Sequence, residues 1–380
     1  MKKTLLLLSV FFINSLSIYS QKEEETSLHL MFLGDIMGHG PQIRAAYNSD
    51  TKTYNYKPNY QYIKSILSKP DFTIANLEVT LGVKPYSGYP QFSSPPELIN
   101  AVKYAGIDVL GTANNHSCDR RKKGIINTIA VLDSLQIAHT GTFANKKTKD
   151  SLNPLLIEKN NIKIALLNYT YGTNGIPVPY PTIVNLLNKK TILKDIAAAK
   201  KQQPDQIIAF VHWGLQYKDL PSNSQKKWFQ FFKENGVNIV IGSHPHVIEP
   251  MVWNKNEKSL VVYSLGNFIS NQRTFPRDGG AMFELTLSKK NNKTQITNAS
   301  YRLTWVYKKS DKNITEYFVL PVDEFEYKPY FFTNNADYIK LRRYSKHARK
   351  LLNKYNSNIP ENKPFTDGFL QLMQELYIPY

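Results

Sequence analysis

A chain of 380 residues with 42% hydrophobic side chains can bury a full core, which excludes an intrinsically disordered protein. Its single cysteine, Cys118, excludes a fold stapled by internal disulfides, so packing must supply the stability. The formal charge of +18 points to polyanionic partners.

Lys2 and Lys3 precede the apolar residues 5–13, and the small polar residues Ser15, Ser17 and Ser20 follow. That is the layout of a secretory signal peptide, and its apolar part is shorter than the roughly 18 residues a spanning helix needs. The expected location is therefore outside the cytoplasm: periplasm, cell envelope or extracellular space. There, polyglutamate, acidic polysaccharide or teichoic-type polymers are the expected partners, and nucleic acid is not. The chain divides into a leader over 1–20, one large domain over 21–320 and a helical extension over 321–380.

Residues 28–33 form a continuous apolar run, expected as a strand covered on both faces, and it delivers Gly34-Asp35-Ile36-Met37-Gly38-His39-Gly40. Residues 72–75 are the next strand and lead into Asn76-Leu77-Glu78. A helix opens at Pro95-Pro96 and ends before Gly106, and the strand at 107–110 runs into Gly111-Thr112-Ala113-Asn114-Asn115-His116. A helix over 124–135 precedes a strand at Ile137, and residues 155–157 and 162–167 read as a hairpin turning at Asn160-Asn161. Residues 192–201 are helical, the strand at 206–211 ends in His212-Trp213-Gly214, and a helix over 224–234 returns to a strand at 237–241. That strand opens onto Gly242-Ser243-His244-Pro245-His246, where an extended backbone would turn both imidazoles to one side. Residues 247–253, 260–265, 281–287 and 294–307 then read as an antiparallel meander. Alternating β and α followed by hairpins predicts a two-sheet α/β sandwich, with its ligands at the C-terminal strand ends. Near the C-terminus, Leu341, Tyr344, Ala348, Leu351 and Tyr355 recur at helical spacing among Lys340, Arg342, Arg343, Lys346, Arg349, Lys350 and Lys354. The pattern predicts a cationic amphipathic helix docked on the body, with a face suited to peripheral contact with an anionic membrane surface.

The strand-end residues Asp35, Glu78, Asn115, His116, His212, His244 and His246 combine carboxylates, an amide oxygen and imidazoles. This mixed set suits Mn, Fe or Zn rather than an all-oxygen calcium site. A carboxylate such as Glu78 can bridge two ions about 3.5–4 Å apart, an arrangement that activates water and steadies both oxygens of an in-line displacement. The chemistry implied is hydrolysis or transfer at phosphorus or an acyl centre.

The motifs Gly34-Asp35, Asn76-Leu77-Glu78, Ala113-Asn114-Asn115-His116, His212-Trp213-Gly214, Gly242-Ser243-His244-Pro245-His246 and Ser264-Leu265-Gly266-Asn267-Phe268 resemble those of the CapA-type capsule and poly-gamma-glutamate synthesis proteins. That family is itself similar to the calcineurin-like metallophosphoesterases. The resemblance implies a four-layer α/β/β/α sandwich with two divalent ions at one edge. By that likeness Asp35 holds one ion, Glu78 bridges, Asn115, His212 and His244 serve the second, and His246 returns to the first. His116 is then the general acid that protonates the leaving group. The chain departs from the wider phosphoesterases at Met37, where they carry a histidine, so His39 either substitutes or misses the metal; Glu78 stands where they carry an aspartate.

Arg120, Arg121 and Arg273 are candidates to orient an acidic substrate, because guanidinium forks pair with carboxylate or phosphate. The expected function is that of an exported metal-dependent hydrolase or transferase in synthesis, release or attachment of an anionic surface polymer. The alternative is a non-catalytic polymer-binding or export-assembly factor on the same fold.

Overall fold

The structure, a computed structural model, describes residues 25–311 and 314–362. The leader expected at 1–20 lies outside the described residues. No helix among the described residues is long and apolar enough to cross a membrane.

Two mixed sheets lie face to face. The first runs, in spatial order, Ile314–Pro321, Lys293–Asp311, Gly279–Lys290, Thr26–Ile36, Phe72–Leu77, Val109–Gly111 and Ala138–Thr140, and Asn267–Ile269 pairs with the end of Thr26–Ile36. The second runs Leu155–Lys159, Ile162–Thr170, Gln206–His212, Ile239–Ser243, Ser259–Val262 and Met251–Asn254. In each sheet the strands joined through helices are parallel: Thr26–Ile36 to Phe72–Leu77 to Val109–Gly111, and Ile162–Thr170 to Gln206–His212 to Ile239–Ser243.

Strand periodicity explains the continuous apolar runs. Leu28, Leu30 and Phe32 point into the core shared by the two sheets, while Met31 and Leu33 point to the opposite face. Ile208 and Phe210 meet them from the second sheet, and Ala209 and Val211 face away. Phe32 and Phe210 touch edge to face across the sandwich with centroids 6.0 Å apart. Truncating either buried ring to alanine would remove about 3–5 kcal/mol of stability.

The outer faces are covered by helices. Leu98, Ile99, Ala101, Val102 and Ala105 of the Glu97–Ala105 helix pack on the first sheet. Its end is set by Gly106, whose φ of 97° only glycine adopts without strain. Ile192, Ile196 and Ala199 of Lys189–Lys201 and Phe232 of Asn223–Glu234 pack on the second. The result is an α/β/β/α sandwich, the predicted fold class.

The basic helix spans Asn335–Tyr355, and Leu341, Tyr344, Ala348, Leu351 and Leu352 join the inter-sheet core. It lies against Lys293–Asp311 and the edge strand Met251–Asn254, and the Tyr344 hydroxyl donates to the Gly280 carbonyl at 2.9 Å. Tyr355 differs from the expected pattern: it is exposed. Arg349 donates to both oxygens of Glu326 and both of Glu361 at 2.6–2.8 Å, tying down much of the charge that the sequence shows as an acid-free run.

The meander expected from Val247 onward is divided between the sheets. Ser259–Val262 pairs parallel with Ile239–Ser243 in the second sheet, and Met251–Asn254 forms that sheet's edge. Only Gly279–Lys290 and Lys293–Asp311 join the first sheet, followed by Ile314–Pro321, which the sequence pattern did not single out. The hairpin at Asn160-Asn161 is present, with both residues at positive φ (53° and 61°) as a tight two-residue turn demands.

Candidate metal centre

Six strand ends and loops meet at one edge of the sandwich. Asp35 closes the first strand, where Gly34 permits a close approach: a Cβ there would stand 1.9 Å from the Gly266 carbonyl oxygen. That approach lets the Asp35 N–H donate to Gly266 at 3.0 Å and sets Asp35 beside Asn267 in register. Glu78 follows Phe72–Leu77, and its N–H is held by the Ile36 carbonyl at 3.0 Å. The Asn115-His116 loop is anchored by Asn114, whose amide donates to the Leu77 carbonyl at 2.6 Å. His212 is the last residue of Gln206–His212.

His244 and His246 reach the same place by a different route from the one expected. Their backbone is not extended: φ is 103° at His244 and 57° at His246. Left-handed backbone at a non-glycine residue costs about 1–3 kcal/mol, and here it splays the two rings, 6.0 Å apart, into separate ligand groups.

One group is Glu78, His212 and His244; the other is Asp35, Glu78 and His246. In the first, three atoms surround His212 Nε2: Asn115 Oδ1 at 2.7 Å, His244 Nδ1 at 3.1 Å and Glu78 Oε1 at 3.5 Å. In the second, Asp35 Oδ2 lies 3.0 Å from His246 Nδ1 and Glu78 Oε1 lies 3.7 Å from His246 Nε2. Glu78 thus belongs to both.

Neighbouring groups fix the ligands from behind. The Asn76 amide donates to Asp35 Oδ1 at 2.8 Å and lies 3.2 Å from His212 Nδ1, which also meets the Ser243 hydroxyl at 3.0 Å. Asn267 Oδ1 lies 3.1 Å from His246 Nδ1, and its amide donates to the Arg277 carbonyl. Such partners orient imidazoles toward a metal. The Tyr171 ring covers His244 at 4.6 Å, and the Tyr217 ring stacks 6.0 Å from His246 with the Arg277 guanidinium 3.3 Å over its outer side.

The donor set fits cations. Glu78 is fully buried, and neither of its oxygens has a hydrogen-bond partner among the described residues; Asp35 Oδ2 is in the same position. Buried carboxylates left so are costly unless a positive charge faces them. The electrostatics agree. Burial opposes ionisation of Glu78, yet His246 and His212 outweigh it and hold the carboxyl below its ordinary range. Burial and the Glu78 charge push Asp35 up. Burial would lower His246, but Glu78 and Asp35 raise it to about 9, whereas burial and its imidazole neighbours push His244 well down. In the metal-free chain a proton on His246 supplies the positive charge that a cation in the cage would otherwise bring.

His116 stands beside the cage in neither group. Its Nδ1 meets Asp119 Oδ2 at 2.7 Å, the same oxygen accepts the Phe92 N–H at 2.6 Å, and the Phe92 ring packs edge-on against the imidazole at 4.6 Å. Asp119 therefore locks the ring's orientation, leaving Nε2 as the nitrogen able to exchange a proton.

The remaining candidates fall elsewhere. His39 lies outside both groups; it precedes the Gly40–Ala46 helix, with Nδ1 near Gln42 Oε1 (3.2 Å) and the Asn271 N–H (3.3 Å), and burial lowers it to about 4. Arg120 donates to the Pro85 carbonyl and the Ser87 hydroxyl, and Arg121 is exposed at a helix start. Arg273 turns to the Val306 carbonyl at 2.9 Å and toward Asp278. The structure does not bring these three to the cage. Asn76 and Tyr171 went unread as site residues; Asn76 lay in plain view, directly before Leu77-Glu78 at a strand end.

A family profile described as bacterial capsule synthesis protein PGA_cap matches residues 29–272. The capsule biosynthesis protein CapA of Bacillus anthracis is 28% identical over 262 residues, 66% of this chain and 61% of that protein. The PGA biosynthesis protein CapA of Bacillus subtilis (strain 168) is 26% identical over 254 residues, 64% of each. The chain thus spans less than two thirds of the length of these curated relatives. Among solved structures, the calcineurin-like phosphoesterase YfkN from Bacillus subtilis is 14% identical, with 74% of this chain and 91% of that chain covered at a TM-score of 0.44. A phosphatase from Mycoplasma pneumoniae is 16% identical, with 74% and 94% covered at a TM-score of 0.42. The profile match spans well over half of the sequence, and the chain belongs to the bacterial capsule synthesis protein PGA_cap family.

Proposed function

We propose that the protein is an exported metal-dependent hydrolase or transferase that works in synthesis, release or attachment of an anionic surface polymer. The observation that carries this reading is Glu78, buried where two ligand groups intersect with both oxygens free of partners among the described residues. Asp35, Glu78 and His246 would hold one divalent cation, and Glu78, Asn115, His212 and His244 a second. When bound, the cations would polarise a phosphoryl or carbonyl oxygen and make water easier to deprotonate.

The chain's own groups supply the rest. His116, oriented by Asp119, delivers a proton from Nε2 to the leaving group as its bond breaks. Asn76 and Asn267 keep Asp35, His212 and His246 pointed inward. Arg277, braced on Tyr217 and tethered to Asn267, offers positive charge to an acidic substrate at the mouth. Exposed Lys346 and Lys350 add a cationic surface for the same polymer or for an anionic envelope surface.

The test is turnover of poly-gamma-glutamate, a teichoic-type polymer and a generic aryl phosphate by Mn- or Zn-loaded protein. His116→Ala should lower kcat by about 10²–10⁴-fold with metal content intact. Turnover unchanged in that variant removes the proton-donor role. A second reading, a non-catalytic polymer-binding or assembly factor, is favoured by one observation: His39 stands outside both groups, leaving the first ion only three side chains. It predicts salt-sensitive polymer binding that survives His116→Ala with no turnover of any substrate.

A further inference from the structure

A cavity of about 550 Å³ lies between the Lys146–Leu152 and Lys189–Lys201 helices and the Ile183–Val184 strand, apart from the metal centre. Asn153 and Asn185 line it, 7% and 1% exposed, and none of their four amide atoms has a hydrogen-bond partner among the described residues. Backbone bonds already hold Asn185 in place: its N–H donates to Gly141 at 2.8 Å and its carbonyl accepts from Thr170 at 2.9 Å. The side chain is therefore free for another purpose. Deeper in, Asp195 is neutralised by Lys149 at 3.2 Å and accepts from the Tyr169 hydroxyl at 3.0 Å, while Lys194 is exposed at the rim.

We propose that this cavity is a second binding site, which takes one amide linkage of an acidic, amide-linked chain. Each carboxamide offers a two-hydrogen donor and an acceptor, so the pair matches a ligand that also offers both, as a secondary amide does. A phosphodiester or a bare polycarboxylate offers acceptors only. It would leave Asn153 Oδ1 and Asn185 Oδ1 buried and unpaired, at about 1–3 kcal/mol each. Ile183, Val184 and Ala198 supply apolar wall that suits methylenes between amide and carboxylate and would strand the hydroxyls of a sugar. Lys194 faces the carboxylate. The cavity also adjoins the catalytic edge: Thr170, which holds Asn185, is followed by Tyr171, whose ring covers His244. The ligand class rests on the polymer reading of the preceding section; the existence of the site does not.

The experiment is calorimetric titration of the full chain in a His244→Ala background, so that binding at the metal centre is weakened separately. The probes are a γ-linked glutamate octamer, polyacrylate and alginate. The octamer should bind, and Asn153→Leu/Asn185→Leu should weaken it by about tenfold or more, the loss expected for two hydrogen bonds. Polyacrylate and alginate should bind more weakly and respond little to the double change. Should the double variant fail to fold, exposed Lys194→Glu should still weaken the octamer several-fold at low salt. Octamer affinity untouched by these changes, or alginate bound as tightly as the octamer, overturns the proposal. Octamer binding of the expected kind by a chain that turns over no polymer contradicts the enzymatic reading and leaves this site standing.

Discussion

Glu249 offers a sharp test of the electrostatics of this sandwich. The carboxyl is fully buried; Oε2 accepts from the Gln225 amide at 2.5 Å, and Oε1 has no partner among the described residues. Gln225 is committed to this geometry because its Oε1 accepts from the Ser222 N–H in the capping box that starts the Asn223–Glu234 helix. Burial outweighs that one hydrogen bond and, with the charge of Asp219, raises Glu249 from 4.5 to about 8. Below pH 4.5 the group is protonated in both folded and unfolded chains and contributes nothing to the pH dependence. Between 4.5 and 8 the unfolded chain has released the proton and the native chain has kept it. The native state then binds more protons, so stability falls with rising pH by up to ~1.4 kcal/mol per unit. Above 8 both forms are ionised and the decline stops. Glu249→Gln mimics the protonated carboxyl and abolishes this term. Urea denaturation of both proteins, with chelator present throughout, should give similar stabilities at pH 5. The variant should gain on the parent by as much as about 4 kcal/mol by pH 8. A difference between the two that stays constant across that range, or that moves the other way, refutes the argument.

Gly34→Ala forces a Cβ against backbone at Gly266, so it should lower stability by about 1–3 kcal/mol in thermal or urea melts and weaken metal binding through displacement of Asp35. A parent-like melt would show that the two strands have room to part. Arg349→Met strands the carboxylates of Glu326 and Glu361 and should destabilise the chain by about 3 kcal/mol or more, with faster amide hydrogen exchange across the Asn335–Tyr355 helix. Arg349→Lys should not restore it, because an ammonium cannot make both forked contacts.

What the sequence makes legible here follows from locality. Each ligand is announced by an apolar run ending in a polar, metal-competent residue, because parallel strands buried on both faces must be continuous and must present their chemistry where they stop. Gly106 and Asn160-Asn161 are equally readable, since positive φ has few tenants. The choice of partner strand is not local. Met251–Asn254 and Ser259–Val262 alternate as a meander strand would, and only the docking of Ser259–Val262 beside Ile239–Ser243 sends them to the other sheet. The left-handed turn at His244 and His246 is invisible for a related reason: histidine has no preference for that conformation, and the surrounding cage imposes it. Asn153 and Asn185 are ordinary loop residues until the fold buries their amides without partners.

The pairing of two cations through Glu78 is tested most directly by anomalous X-ray scattering at the Mn, Fe and Zn edges on protein purified without chelator. Two peaks roughly 3.5–4 Å apart, both within bonding distance of Glu78, are the expected result. A single ion that leaves Glu78 unbound, or folded protein with no ion between Asp35, His212, His244 and His246, would contradict it.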